Sequence, residues 1–294
     1  IAEWDLNVST YRPPILTHNG MINSYDMSAD GNYVVTGGRD NTVRIWDAKN
    51  LKLLKELKFD NEIASIVYSQ DNNSMVVVEG TGYQRVLKWN SFKMPEGELK
   101  ISKELPPNTR KCFVSKNCEW VLYGLRDNIV KLEKTETGIV THQIDSHGGW
   151  IEGAEFDPKA EKFVTLAKDG LARMFDTKSG QLLHSNNFGA EFGGHCAFSN
   201  KGDIYVLYCL FGMDSQRPLA FDSNTGKKLF EIKHGSGVSN LSFTENDSNI
   251  ISSSLDYTAK IWDRNDVQFP LQSYSVGSRV ASVLHKEAYP SRIF

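Results

Sequence analysis

Three histidines each head one recurring set of hydrogen-bonding residues. His18 is followed by Thr36, Asp40 and Trp46, and His234 by Ser252, Asp256 and Trp262, an offset of 216 throughout. A third set, at an offset of 129, is His147, Thr165 and Asp169, with Phe175 at the last position. An imidazole, a hydroxyl, a carboxylate and an indole N–H carry complementary donors and acceptors. Such a set can therefore satisfy itself inside an otherwise apolar element. Landmarks held in constant register mark a repeated structural unit, whereas an active site brings its reactive groups together once.

Little else in the chain points to catalysis. Of the seven histidines, His195 in an inner strand is the one the repeat leaves unexplained, and a single histidine is not an active site. The sequence has no G-x-S-x-G elbow, no G-x-x-x-x-G-K-[ST] phosphate cradle and no H-E-x-x-H. Gly80-Thr81-Gly82 lacks the third glycine of a dinucleotide loop. Cys112, Cys118, Cys196 and Cys209 form no C-x-x-C pair and have no histidine at zinc-ligand spacing, so they read as reduced thiols. The expectation is a protein that is not an enzyme and has no cofactor and no metal.

The elements that position these residues are short strands. Strand ends resembling Arg44-Ile45-Trp46-Asp47 put landmarks at positions 4, 46, 89, 133, 175, 221 and 262, in steps of 42, 43, 44, 42, 46 and 41. Within each unit, apolar and polar residues alternate as in Ile22–Met27. Turn signals such as Asp30-Gly31, Asp157-Pro158 and Lys201-Gly202 punctuate the strands every 8–12 residues. No segment shows helical periodicity.

A period near 42 residues with a terminal Trp-Asp resembles the tryptophan–aspartate (WD) repeat family of β-propellers, and the resemblance runs over essentially the whole chain. It implies an all-β fold with seven four-stranded blades. It also implies that His, Ser/Thr, Asp and Trp form a hydrogen-bonded tetrad in each good blade: His18-Thr36-Asp40-Trp46, His234-Ser252-Asp256-Trp262 and, without its last bond, His147-Thr165-Asp169. Other blades depart from the pattern. One has Glu79 at the hydroxyl position and Tyr83 at the Asp position; another keeps Asp127 but has Glu133 at the Trp position; the Phe221 blade has Gly189 where the His would stand. These blades are expected to be less rigid. Residues 1–294 are expected to form one propeller, with 1–16 and 275–294 each supplying two strands of a shared seventh blade, which removes exposed sheet edges; a six-bladed ring with frayed tails is the alternative.

In this family partners most often dock on the face carrying the connections into the innermost strands. The matching positions here include Met21, Arg39, Arg110, Arg126, Trp150, Lys168, Phe192 and Arg279, and the inserted stretch Leu210–Pro218 adds Phe211. Apolar anchors among cations suit an acidic or phosphorylated peptide segment. A second insertion, Ser91–Pro107, reads as a loop.

Composition sets the function classes. Net charge is −3, with 40 % hydrophobic and 23 % charged residues, so the chain as a whole is no polybasic binder of nucleic acid or membrane. No run approaches the length of a membrane span. The leading expectation is a protein-interaction scaffold or subunit of a multiprotein complex, cytoplasmic, with the nucleus as the second location. Nucleic-acid or phosphorylated-ligand binding through the basic face is the alternative, and a propeller enzyme comes last.

Overall fold

The computed structural model describes residues 4–5, 10–11, 17–81, 85–189, 194–209, 217–244, 246–275 and 292–293. Two short strands come first, β1 (Trp4–Asp5) and β2 (Thr10–Tyr11). Four-stranded antiparallel sheets follow. The first is β3 (Ile22–Met27), β4 (Tyr33–Gly38), β5 (Thr42–Asp47) and β6 (Leu53–Lys58). The second is β7 (Ile63–Tyr68), β8 (Ser74–Thr81), β9 (Arg85–Lys93) and β10 (Glu98–Glu104); the third is β11 (Thr109–Val114), β12 (Trp120–Leu125), β13 (Val130–Lys134) and β14 (Ile139–Ile144). The fourth is β15 (Ile151–Phe156), β16 (Lys162–Ala167), β17 (Leu171–Asp176) and β18 (Leu182–Asn187); the fifth is β19 (Gly194–Phe198), β20 (Ile204–Cys209), β21 (Leu219–Asp222) and β22 (Lys228–Glu231). The sixth is β23 (Val238–Phe243), β24 (Asn249–Ser254), β25 (Thr258–Asp263) and β26 (Gln272–Ser275), and β27 (Arg292–Ile293) closes the series. Each sheet is a meander of the propeller-blade type, so the architecture is all-β and of the β-propeller class.

The chain divides into two compact units. Pro14–Trp150 holds the first three blades, and Ala2–Pro13 with Ile151–Phe294 holds the other three.

The blade count corrects the sequence reading. Among the described residues there are six four-stranded blades, not seven. Trp4, the first landmark, lies instead in a three-stranded sheet of order β2-β1-β27, where it pairs with Tyr11 and Ile293. Each of those strands is two residues long, too short to build the alternating inward face on which a blade packs. The strands expected at 12–16 and 280–284 lie outside the described residues.

One device recurs at the turn between the first two strands of every blade. Ser28, Ser69, Ser115, Ser199 and Thr244 are buried, and each side-chain oxygen accepts the amide N–H five residues on, at 2.9–3.1 Å. In the fourth blade Asp157 does the same for Lys162 at 2.8 Å. A hydroxyl here satisfies a donor that would otherwise be buried without a partner. The Asp that ends the third strand acts locally too, since Asp47, Asp176 and Asp222 each accept amide N–H groups of the next turn.

Neighbouring blades within a unit pack face to face. Val35, Val43 and Ile45 of the first blade meet Ile63, Ile66, Met75, Val77 and Phe92 of the second. Inner-strand side chains also cap the next blade's backbone: the Ile66 amide donates to Ser24 Oγ at 2.9 Å and the Tyr68 amide to Asp26 Oδ2 at 2.8 Å. At the rim, a side chain from the outer strand of one blade reaches the last turn of the next. Lys55 donates to the Glu96 carbonyl, Lys103 to the Gly138 carbonyl, and Asn186 Nδ2 to the Gly226 carbonyl at 2.8 Å. Gly97, Gly138 and Gly226 have φ of 62°, 63° and 70°, a left-handed turn that glycine adopts without strain.

The second blade also corrects the register of one landmark. Its strand β9 runs nine residues, and Phe92 pairs with Met75 as Trp46 pairs with Val34. Val77, not Glu79, therefore holds the station of Thr36, and Trp89 points to the opposite face. The same lengthening turns much of the expected Ser91–Pro107 loop into paired strand, with Glu98–Glu104 lying against Lys88–Lys93.

Candidate functional site

Two of the predicted sets come together, each within its own blade. In the first blade Trp46 Nε1 donates to Thr36 Oγ1 at 2.9 Å, Thr36 Oγ1 lies 2.7 Å from His18 Nε2, and His18 Nδ1 lies 2.9 Å from Asp40. In the sixth blade Trp262 Nε1 donates to Ser252 Oγ at 2.8 Å, His234 Nε2 lies 2.7 Å from Ser252 Oγ, and His234 Nδ1 lies 3.1 Å from Asp256. Complementarity fixes the protons: the hydroxyl donates to Nε2, and Nδ1–H donates to the carboxylate.

Hydroxyl, imidazole and carboxylate in this order are also the parts of a nucleophilic triad. Here the hydroxyl is closed to substrate. Thr36 is 0 % and Ser252 1 % exposed, and each oxygen already accepts an indole N–H. The arrangement holds a blade together.

The electrostatics follow from the donors. Burial pushes the Asp40 carboxyl up, but hydrogen bonds from His18, Thr42 and the Asn19 amide outweigh it and hold the group at about 2. Asp256 behaves alike: donors from Thr258, Gly235 and His234 overcome its burial and lower it well below the usual carboxylate range. His234 is held below its ordinary value, chiefly because burial disfavours the imidazolium.

The fourth blade departs from this pattern. Leu171 occupies the station of Thr42 and Thr258, so the hydroxyl that bonds Asp40 and Asp256 from that station has no counterpart here. Its carboxylate instead meets Arg173 in a two-point ion pair at 3.1 and 2.7 Å. Thr165 Oγ1 donates to the Arg173 carbonyl at 3.5 Å, and His147 is buried.

Sequence reasoning missed two buried carboxylate networks. Glu133 is fully buried; its Oε1 accepts Trp89 Nε1 at 3.0 Å, and its Oε2 accepts Lys103 Nζ at 2.7 Å and the Tyr123 hydroxyl at 3.2 Å. Glu79, also fully buried, accepts Asn90 Nδ2 at 2.7 Å and lies 3.3 Å from Lys88 Nζ. The signal was a carboxylate at a core position, with a lysine on the paired strand for Glu79 and on the outer strand of the preceding blade for Glu133.

On the face carrying the connections into the inner strands, the Pro14–Trp150 unit has a cavity of about 430 Å3. Met21, Asn23, Arg39, Glu62, Arg110 and Phe113 help to line it. Met21 is 59 % exposed. Arg39 pairs with Glu62 at 3.6 Å, and the Arg110 guanidinium lies 3.8 Å from the ring centroid of Trp150. Arg126 is exposed, its amide bonded to the Asn108 carbonyl at 3.0 Å. Lys168 is half-buried in the other unit. Phe192, Phe211 and Arg279 lie outside the described residues. The exposed His195 stacks on Tyr208, ring centroids 5.4 Å apart.

Among the described residues no three His, Cys, Asp or Glu side chains stand close enough to hold a metal ion, and no helix is long and apolar enough to cross a membrane. All four cysteines are free thiols, and burial pushes Cys112, Cys118 and Cys196 up.

Residues 11–47 and 226–263, which carry both complete tetrads, match the model of the WD domain, G-beta repeat. These two segments are WD repeats. Among curated proteins, eukaryotic translation initiation factor 3 subunit I of Schizosaccharomyces pombe is 26 % identical over 181 residues, 56 % of this chain and 54 % of that protein. The subunit I of Dictyostelium discoideum is 25 % identical over 58 % of this chain and 53 % of its own length. Apoptotic protease-activating factor 1 of Danio rerio is 20 % identical over 61 % of this chain but 14 % of its own length. The chain thus spans about half the length of the initiation-factor subunits it matches.

Proposed function

We propose that this WD-repeat chain is a non-catalytic interaction module, a subunit of a multiprotein assembly, that binds a peptide segment of a partner on the face lined by Met21, Arg39 and Arg110. The relatives named above include subunits of a translation initiation factor, and a subunit of that kind works where translation does, in the cytoplasm. The observation that carries the reading is the Arg110 guanidinium stacked on Trp150 at 3.8 Å, beside a cavity of about 430 Å3. Stacking fixes the plane of the guanidinium, whose planar fork of N–H donors is the kind of group that takes a carboxylate or phosphate at two points. Met21 supplies exposed apolar surface next to it.

The test is affinity purification from source cells with intact protein and with an Arg39→Ala/Arg110→Ala/Trp150→Ala variant, its fold checked by circular dichroism. A defined partner set lost from the variant supports the reading. The same set retained by the variant overturns it.

A further inference from the structure

The outer strand β6 ends the sheet β3-β4-β5-β6, so among the described residues one row of its backbone N–H and C=O groups has no neighbouring strand. We propose that this edge takes up an extended acidic segment of a partner protein as an additional strand.

Two cavities flank β6. One, of about 310 Å3, is lined by Glu56 and Lys58 together with Asp40, Thr42 and Arg44 of the same blade. The other, of about 230 Å3, is lined by Leu57, Phe59, Phe92 and Leu99, with Glu79 and Lys88 in its wall. Successive residues of a strand point to opposite faces, so Glu56 and Leu57 place these cavities on the two sides of the sheet. Lys58 and Phe59 line both. An added strand presents its own side chains alternately to the two faces. Main-chain bonds to an edge with sockets on either side are the parts of strand-addition recognition.

Charge selects the occupant. Residues 49–58 hold Lys49, Lys52, Lys55 and Lys58 against a single carboxylate, Glu56, which Arg44 already takes at 3.0 Å. Lys55 is occupied by the Glu96 and Gly97 carbonyls. Lys49, Lys52 and Lys58 make no ion pair among the described residues. The other outer strands differ. In β10, Lys100 and Lys103 are balanced by Glu98 and Glu104; in β22, Lys228 pairs with Glu231 at 3.1 Å; β14, β18 and β26 carry no Lys, Arg, Asp or Glu. Lysines along an edge repel a basic strand and leave an acidic one as the complement. The phenylalanine-walled cavity adds a requirement for an apolar residue at alternate positions.

The probe is a synthetic peptide of about ten residues, a typical strand length at the upper end, alternating glutamate and valine. Its mirror in charge alternates lysine and valine. Binding to the full chain is followed by fluorescence anisotropy and by deuterium exchange of the amides of 53–58. The acidic peptide should bind, slow exchange in 53–58, and lose affinity by about tenfold or more against Lys52→Glu/Lys58→Glu. Both lysines are exposed, so the variant keeps the fold. The lysine peptide should prefer the variant. Arg110→Ala/Trp150→Ala should bind the acidic peptide as the wild type does, which separates this edge from the face in the preceding subsection. No binding, equal affinity for the charge-reversed variant, or protection confined to residues 21–23 and 110–113 would each overturn the proposal.

Discussion

The indole N–H of Trp89 donates to Oε1 of Glu133 at 3.0 Å, from one blade into the next. Glu133 stands where Trp46 stands in the first blade, paired with Val121 as Trp46 is with Val34. The third blade therefore has an acceptor at the tetrad's donor position, and the donor comes from its neighbour. Glu133→Ala strands Trp89, Tyr123 and Lys103 together and should cost about 3–5 kcal/mol. Glu133→Gln keeps an acceptor for the indole and should cost about 1–3 kcal/mol. Urea unfolding measures both, and equal costs would show that the charge carries the whole effect and the retained amide acceptor none of it.

The tetrads make a graded prediction in the first blade. Thr36→Val removes the central oxygen and leaves Trp46 Nε1 and His18 Nε2 without it, at a cost of about 2–3 kcal/mol. Trp46→Phe removes one donor and fills most of the same volume, at a cost of about 1–2 kcal/mol. Denaturant midpoints with unchanged slopes would check the order; the reverse order would mean that indole packing outweighs the hydrogen bonds.

Acid should loosen the protein in two stages. His234 is held below its ordinary 6.5 in the folded chain, so as pH falls through 6.5 the unfolded chain takes up a proton the folded chain refuses, and stability drops. Asp40 falls to about 2 and Asp256 is lowered further, so their stabilisation is whole above the unfolded value of 3.8 and is lost below it. Urea midpoints from pH 8 down to pH 3 should trace both stages, with the first smaller in His234→Gln. A midpoint unchanged between the two proteins across that first stage would contradict the account.

Tyr257 sits at φ 64°, directly after Asp256, where the equivalent turns have Asn41, Asn128 and Gly170 with φ of 61°, 69° and 77°. A bulky residue is strained there, and Tyr257 is 49 % exposed, so it recovers little by packing. Tyr257→Asn should raise stability by about 1 kcal/mol, read as a higher melting temperature.

Gly153 lies on β15 against the backbone of Gly194 on β19, where an added Cβ would strike the Gly194 carbonyl. The obstacle is main chain and cannot swing aside. Gly153→Ala should cost about 2–3 kcal/mol or more, whereas Gly170→Ala, in open space but at φ 77°, should cost about 1 kcal/mol. Thermal unfolding of the two variants separates clash from backbone strain.

Much of the fold was legible because the repeat writes itself in residue types. His, Ser/Thr, Asp and Trp at constant spacing located the first and sixth blades, and turn residues located the strands between them. The second blade misled because a tryptophan is not a station. Trp89 carries the letter of the repeat but faces the other way, and the extra length of its hairpin could be seen only in the pairing of Met75 with Phe92. The seventh blade was inferred by counting Trp4, whose strand pairs but does not build a blade. The buried hydroxyls at 28, 69, 115, 199 and 244 keep a period as regular as the tetrads. They went unread because serine is common and its burial is a property of the turn. The face positions are a matter of spacing alone; that Arg110 lies on Trp150 is a matter of rotamers, which no spacing encodes.

The reach of Lys55 to the Glu96 carbonyl, of Lys103 to Gly138 and of Asn186 to Gly226 always runs from a blade to the one after it in the chain. These rim bonds therefore have a grammatical direction, like words that govern their successors. Trimming blades from the carboxyl side leaves a hand with nothing to hold, an exposed lysine or asparagine that water satisfies. Trimming from the amino side leaves a turn that nothing holds. Shortened or rearranged versions of this chain should tolerate the first far better than the second, and the same asymmetry says which end a growing chain can leave unfinished while the rest already stands.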